Sequence, residues 1–328
     1  MSHILEVTNL EVEFSGDGGK NISVDHVGFH VDSGEIVCIV GESGCGKSVT
    51  SLSVMGLLGK GGKVTDGQIL FEGRDLLSMT ERELDGVRGD RLTMIFQDPL
   101  TSLNPVFTIG SQMTESIRAH MGLGKEEARE RASSLLKRVG LPDTLSVMKK
   151  YPHLLSGGMR QRVMIAMALS CNPSLLIADE PGTALDVTVQ GQIHKLLRAL
   201  VEEEKRSLIM ITHSLGVVRE LVDRIYVMYA GSIVECCETQ ELFKNPLHPY
   251  TQGLLSCVPR LSGGGISAGI YGYIPSYVNP PKGCRFYNRC PHCTERCRQE
   301  KPAAYTTAEG HTVSCFLYEN GKGEDAHG

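Results

Sequence analysis

Eight consecutive residues, Gly41-Glu42-Ser43-Gly44-Cys45-Gly46-Lys47-Ser48, follow the spacing G-x-x-x-x-G-K-S/T. Glycines in such a run let successive backbone N–H groups face a phosphate chain, and a helix starting at its end adds positive potential. In that arrangement Lys47 reaches the β- and γ-phosphates of a nucleotide and Ser48 holds Mg²⁺. A ligand-free glycine-rich turn is the competing explanation. The buried-strand pattern before the run and the helical pattern after it favour the phosphate loop.

A second chemical signal closes the apolar run Leu175-Leu176-Ile177-Ala178, which ends in Asp179-Glu180. Two adjacent carboxylates at a strand end can divide the work of phosphoryl transfer. Asp179 orients Mg²⁺, and Glu180 polarises the attacking water as general base. Alone the pair is weak, since acids at strand ends are often solvated turn residues. It gains weight from Leu155-Ser156-Gly157-Gly158-Met159-Arg160-Gln161-Arg162, a serine and two glycines at the start of a helix, which make a second phosphate cradle.

The elements needed to position these groups are legible. Leu5 to Phe14 and Ile22 to Val31 read as an antiparallel strand pair around a Ser-Gly-Asp-Gly-Gly turn. Short apolar runs at Glu35–Val40, Leu175–Ala178 and Leu208–Ile211 each lead through a polar turn toward a helix, Ser48–Leu58 in the first case. That is the pattern of a parallel sheet with crossover helices. Between about residues 98 and 171 the pattern is helical, with Ile109–His120 and Glu126–Val139 amphipathic. Thr251–Cys257 is helix-like, and Ser262-Gly263-Gly264-Gly265 reads as a flexible joint.

At 328 residues the chain is long enough for about two domains. Its 41% hydrophobic and 22% charged residues are those of a globular protein. The net charge of −5 gives no general attraction to nucleic acid or anionic lipid. No apolar run approaches the ~20 residues of a spanning helix, and the N-terminus lacks the features of a signal peptide, so the chain reads as cytosolic.

Two phosphate cradles in one chain make sense if each closes over a nucleotide held by another subunit. Here the sequence resembles the ATP-binding-cassette ATPases. The resemblance implies an α/β fold: a P-loop NTPase core with an antiparallel β subdomain, a helical insertion and a small Cys-rich C-terminal extension. It places the nucleotide-binding domain at 1–257 and the extension at 258–328. ATP would bind at Gly41, Glu42, Ser43, Gly44, Cys45, Gly46, Lys47 and Ser48, with Phe14 against adenine. Glu180, His213 and Gln97 would be catalytic, with Ser48, Gln97 and Asp179 around Mg²⁺. Ser156, Gly157 and Gly158 would act in trans across a head-to-tail dimer, and Asp186 would communicate between sites.

Phe96 to Pro105 and Asn245-Pro246-Leu247-His248-Pro249-Tyr250-Thr251, with Met159, resemble the dipeptide, oligopeptide and nickel importers in particular. That resemblance implies a paired ATPase, a heterodimer more than a homodimer, two permeases, an extracytoplasmic solute-binding protein, no nucleic acid, and a peripheral position on the cytoplasmic face of the membrane. Peptide is the better-supported cargo. Gly182 and Ser214 depart from the subfamily, where threonine and aspartate are common, without removing a catalytic group.

Five of the 11 cysteines crowd the tail: Cys284, Cys290, Cys293, Cys297 and Cys315. All but Cys293 match the four that hold a 4Fe–4S cluster in some subfamily members. Zinc is the rival, given the spacing around Cys293 and the nearby His292 and His311; free thiols are the third possibility. Arg285, Arg289, Arg296 and Arg298 read as contacts to a partner, a balance for thiolate charge, or a solvated face. A cassette exporter, a soluble cassette ATPase acting on nucleic acid or ribosomes, and a regulator that seldom hydrolyses remain as alternative functions.

Overall fold

The computed structural model describes residues 3–16, 19–183, 185–258, 269–307 and 310–319; the glycine-rich joint at 262–265 lies outside them. The strands in chain order are β1 His3–Phe14, β2 Asn21–Asp32, β3 Ile36–Val40, β4 Gly62–Phe71, β5 Arg74–Asp75, β6 Leu92–Ile95, β7 Leu175–Asp179, β8 Ser207–Thr212, β9 Arg224–Tyr229, β10 Ser232–Glu238, β11 Tyr305–Thr306 and β12 Thr312–Val313. The chain forms two compact units, described separately. One comprises Met1–Ile4, Asp32–Glu35 and Ser78–Ile211; the other comprises Leu5–Val31, Ile36–Leu77 and Thr212–Gly328.

The first unit carries β6, β7 and β8 side by side and parallel, with Ile95 opposite Ala178 and Asp179 opposite Ile211. Every residue of β7 and β8 is buried, as expected for parallel strands covered on both faces. The helical stretch is as the periodicity predicts. Helix Ile109–Met121 is capped by the Thr108 hydroxyl, which accepts from the Ser111 amide at 3.3 Å, and stops at Gly122 with φ +64°. It buries Ile109, Met113 and Ile117. Helix Lys125–Arg138 buries Ala128, Ala132 and Leu136, which are spaced along one face.

In the second unit a four-stranded sheet runs in the order β2-β1-β4-β5. The expected β1–β2 pair is present; consecutive strands joined by so short a loop are antiparallel. Strand β4, absent from the sequence reading, pairs antiparallel with β1 from Leu5–Phe71 to Phe14–Gly62. Beside it, β3 pairs parallel with β9, and β9 turns into antiparallel β10 through Ala230 and Gly231, both at positive φ. Two positive values are what a tight hairpin turn requires. The chain's last strand joins this sheet, since β12 pairs with β10 at Glu235–Val313 and Cys236–Thr312. The helix after the phosphate loop is Lys47–Val54, shorter than predicted; the chain leaves it at Gly56 with φ +63°.

Candidate functional site

The phosphate loop and its helix belong to the second unit. Gly46, the N-cap, has φ +105°, and a Cβ there would sit 2.8 Å from the Ser23 carbonyl oxygen. A Cβ on Gly41 would overlap the Met228 carbonyl. Only glycine fits either position. The loop is held by its carbonyls. Lys47 Nζ donates to those of Gly41 at 2.8 Å and Glu42 at 2.9 Å, the Tyr277 hydroxyl donates to that of Gly44 at 2.7 Å, and the Gly231 amide donates to that of Cys45 at 2.8 Å. With carbonyls drawn to protein donors, a loop of this type turns its remaining N–H groups the other way, the geometry of an anion nest. Lys47 is 4% exposed and Ser48 half-buried on the first helical turn.

Phe14 ends β1 opposite Gly62, with its ring over that glycine: a Cβ on Gly62 would lie 2.8 Å from it. His213 follows β8 and is exposed. Both belong to the second unit.

The carboxylates belong to the first. Asp179 ends β7 at 4% exposure, and Glu180 follows at 9% with φ +46°, a backbone region that a non-glycine residue rarely adopts and that clusters at functional sites. The Glu180 amide donates to the Ile211 carbonyl at 2.9 Å, which fixes the turn. Glu180 Oε2 accepts from Gln97 Nε2 at 3.1 Å and from the Thr183 hydroxyl at 3.0 Å. The parallel β6–β7 register sets up this meeting, since each strand ends two residues or fewer before its polar residue. Thr183 has no place in the sequence reading, because a threonine three residues beyond a glutamate carries no signal of its own.

For Mg²⁺, the candidate donors are a serine hydroxyl, an amide oxygen and a carboxylate, from Ser48, Gln97 and Asp179. All are hard oxygen ligands of the kind the ion takes, so the residues fit.

Ser156 caps helix Gly157–Ala168, its hydroxyl accepting from the Met159 amide at 3.3 Å. A Cβ on Gly157 would lie 2.9 Å from Leu185 Cδ2, and one on Gly158 would lie 3.4 Å from Val189 Cγ1. Close packing therefore explains the first glycine within the chain. Asp186 caps helix Val187–Glu203, Oδ1 accepting from the Val189 amide at 2.9 Å.

None of the cysteines of the C-terminal region is in a disulfide. Cys284, Cys290, Cys297 and Cys315 lie near one another. Burial pushes the Cys284 thiol up to about 12, with Cys297, Cys315 and Cys290 adding to the shift, and Cys290 to about 11, with Cys315, Cys297 and Cys293 adding to it. Cys315 is likewise raised, by burial first and then by Cys297 and Glu235, against a bond from the Leu317 amide. The Cys284 amide donates to the Cys297 carbonyl at 2.8 Å, pinning the two segments together. Among the described residues no three cysteine sulfurs lie within 4.8 Å of one another. His311 is committed elsewhere, its Nε2 2.7 Å from Glu235 Oε1 in a fully buried pair.

The arginines of the tail differ from one another. Arg296 is partly exposed, pairs with Glu300 and Glu319, and lies over the Phe316 ring. Arg285 and Arg289 are buried and serve the chain's own fold. Arg285 pairs with Asp25 and donates to the Ala230 carbonyl, and Arg289 reaches Glu42 in the phosphate loop.

Residues 24–183 match the family model described as ABC transporter, and residues 234–297 match that of the oligopeptide/dipeptide transporter C-terminal region. The chain is 52% identical over 322 residues to the oligopeptide transport ATP-binding protein AppD of Bacillus subtilis, covering 97% of this chain and 98% of that protein. It is 47% identical to the dipeptide transport ATP-binding protein DppD of Escherichia coli, covering 95% and 96% respectively. Among solved structures it resembles the dimeric ATP-binding cassette MJ0796 bound to ADP and phosphate, with a TM-score of 0.65 and 28% identity over 72% of this chain and 98% of that one. The phosphate loop, the strand-end carboxylates and a likeness that runs nearly the whole length of both relatives lead to one conclusion: the chain belongs to the ABC transporter ATP-binding proteins, an ATPase family that binds ATP with Mg²⁺, in the branch that carries the oligopeptide/dipeptide transporter C-terminal region.

Proposed function

We propose that this protein is the energy-coupling subunit of a bacterial importer for di- and oligopeptides. The observation that carries the cargo class is its likeness, over nearly the full length of both chains, to ATP-binding proteins named for oligopeptide and dipeptide transport. It acts with a second ATPase, preferably a different chain, with two permeases and with an extracytoplasmic solute-binding protein. It sits on the cytoplasmic face of the membrane; no helix among the described residues is long and apolar enough to cross one.

The phosphates of ATP lie in the 41–48 loop. Lys47 exchanges its bonds to the Gly41 and Glu42 carbonyls for the β- and γ-phosphates. Phe14 packs on adenine, while Ser48, Asp179 and Gln97 would supply oxygen ligands to Mg²⁺, which would offer charge neutralisation to the phosphates. Glu180 takes a proton from the attacking water. Gln97 and Thr183, both bonded to Oε2, fix the plane of that carboxylate. His213 contacts the γ-phosphate. Ser156, Gly157 and Gly158 close over the nucleotide of the partner ATPase, and Asp186 links the two sites. Closure on ATP moves the permeases, and hydrolysis resets them.

The boundary between cassette and extension falls near residue 258. In the extension, Cys284, Cys290, Cys297 and Cys315 would hold a 4Fe–4S cluster in preference to zinc, a reading supported by their match to the four cysteines that hold one in some members of the subfamily. The centre has no step in hydrolysis and braces the fold.

The test is uptake of labelled di- and oligopeptides and of ⁶³Ni²⁺ in cells whose own copy carries Glu180→Gln. Loss of peptide uptake alone supports the proposal. Loss of nickel uptake alone assigns the metal as cargo, and no change in either overturns an import role.

A further inference from the structure

Two side chains of the extension reach the phosphate loop, and a third packs behind it. The Arg289 side chain is 4% exposed, although it belongs to a short helical turn in a tail otherwise rich in exposed charge. Its guanidinium spends all of its arms. Nη1 donates to Glu42 Oε2 at 3.0 Å and to the Tyr229 hydroxyl at 3.4 Å, Nε donates to the Tyr271 carbonyl at 2.9 Å, and Nη2 donates to the Ile270 carbonyl at 3.1 Å. The Tyr277 hydroxyl donates to the Gly44 carbonyl at 2.7 Å. Phe286 packs edge-on against Tyr229 and Tyr250, and the Tyr250 hydroxyl accepts from the Glu42 amide at 3.0 Å.

Glu42 is thus held at three points: its amide by Tyr250, its carbonyl by Lys47 and its carboxylate by Arg289. When ATP draws Lys47 away to the phosphates, the carbonyl tether goes and the Tyr250 and Arg289 tethers stay. Gly44, at φ +78°, has no side chain with which to anchor itself, and the Tyr277 hydroxyl fixes its peptide instead. A nest binds anions well only if its N–H groups are already aimed, because aiming them on binding costs conformational entropy.

We propose that Arg289 and Tyr277, neither of them in the phosphate-loop motif, are positioning residues for ATP: from the C-terminal extension they hold the 41–48 loop in its binding conformation. The extension is then a working part of the nucleotide site as well as an appendage to it. The inference rests on reading that loop as the ATP site.

The experiment measures displacement of a fluorescent trinitrophenyl-ATP from the purified full-length chain by MgATP, together with KM and kcat for ATP in the assembled transporter. Arg289→Ala is expected to weaken ATP about tenfold and Tyr277→Phe about threefold, each raising KM and leaving kcat within about twofold. Arg289→Lys, which can serve one partner but cannot fork, is expected to fall between wild type and alanine. Because Glu42 and Arg289 act through each other, Glu42→Ala added to Arg289→Ala is expected to cost no more than the larger single change. Unchanged affinity in both single variants, a fall in kcat at constant KM, or losses that multiply in the double variant would overturn the proposal. If Arg289→Ala does not fold, Tyr277→Phe, which removes one oxygen, decides the matter alone. Failure of the underlying reading is separate, since the wild-type chain would then not bind the fluorescent nucleotide at all.

Discussion

Gln97 Nε2 donates to Glu180 Oε2 at 3.1 Å, joining side chains 83 residues apart at the ends of neighbouring parallel strands. On the proposed mechanism, the bond fixes the aim of Glu180 as general base. Gln97→Ala is expected to lower kcat by roughly 10- to 100-fold with ATP affinity nearly unchanged, the loss typical of a misplaced catalytic group. Steady-state ATPase assays and nucleotide titration check both halves.

Glu180→Gln keeps the size and one acceptor of the side chain and removes its basicity. Hydrolysis is expected to fall by a factor of about 10² to 10⁴ while MgATP still binds. A variant with more than a tenth of wild-type turnover would take the role of general base away from Glu180.

Gly41→Ala places a methyl group onto the Met228 carbonyl of β9. Backbone cannot yield there as a flexible side chain would, so loss of ATP binding and a lowered melting temperature are expected together. Gly44→Ala is expected to be milder, because no atom lies within 4 Å of its added carbon and only its positive φ opposes the change. Thermal melts with and without MgATP separate the two.

Stability is expected to depend on His248. Burial lowers its pKa to about 4 against the weaker opposing pull of Glu235, and its Nδ1 accepts from the Tyr250 amide at 3.0 Å. In the unfolded chain the same imidazole titrates near 6.5. Between those values the unfolded state binds a proton that the folded state rejects, so stability falls as the pH drops from about 6.5 toward 4, by on the order of 3 kcal/mol. Urea unfolding across that range measures the slope, and His248→Asn, which keeps an acceptor without the titration, is expected to flatten it.

Serine in place of Cys284, Cys290, Cys297 or Cys315 is expected to abolish bound iron, while Cys293→Ser is expected to retain it. Elemental analysis and the visible spectrum of anaerobically purified protein report the outcome. Stoichiometric zinc with no iron in the wild type would reverse the assignment.

The chemistry was largely legible because its signals are local. The phosphate loop needs its glycines at fixed offsets, and Asp179-Glu180 ends a run whose burial dictates a strand. Two helices of the insertion, Ile109–Met121 and Lys125–Arg138, were legible for the same reason, each carrying its own apolar stripe. Strand β4 escaped because Gly62, Thr65, Asp66 and Gly67 are turn residues; it pairs with β1 around an irregularity near Thr8 and Glu11, and tertiary pairing overrides its propensity. The buried roles of Arg289 and Tyr277 had no local signal either. Their partners in the loop lie 247 and 233 residues away, and an arginine among cysteines reads equally well as surface.

The loop that cradles phosphate lies in the first sixth of the chain, and two of its clamps lie in the last sixth. A ribosome adding about 5–20 residues per second leaves roughly ten to fifty seconds between their emergence. During that interval the nascent protein carries the motif without its grip. If the extension positions the loop as proposed, a chain cut short before residue 277 carries a correct signature and is expected to bind nucleotide poorly.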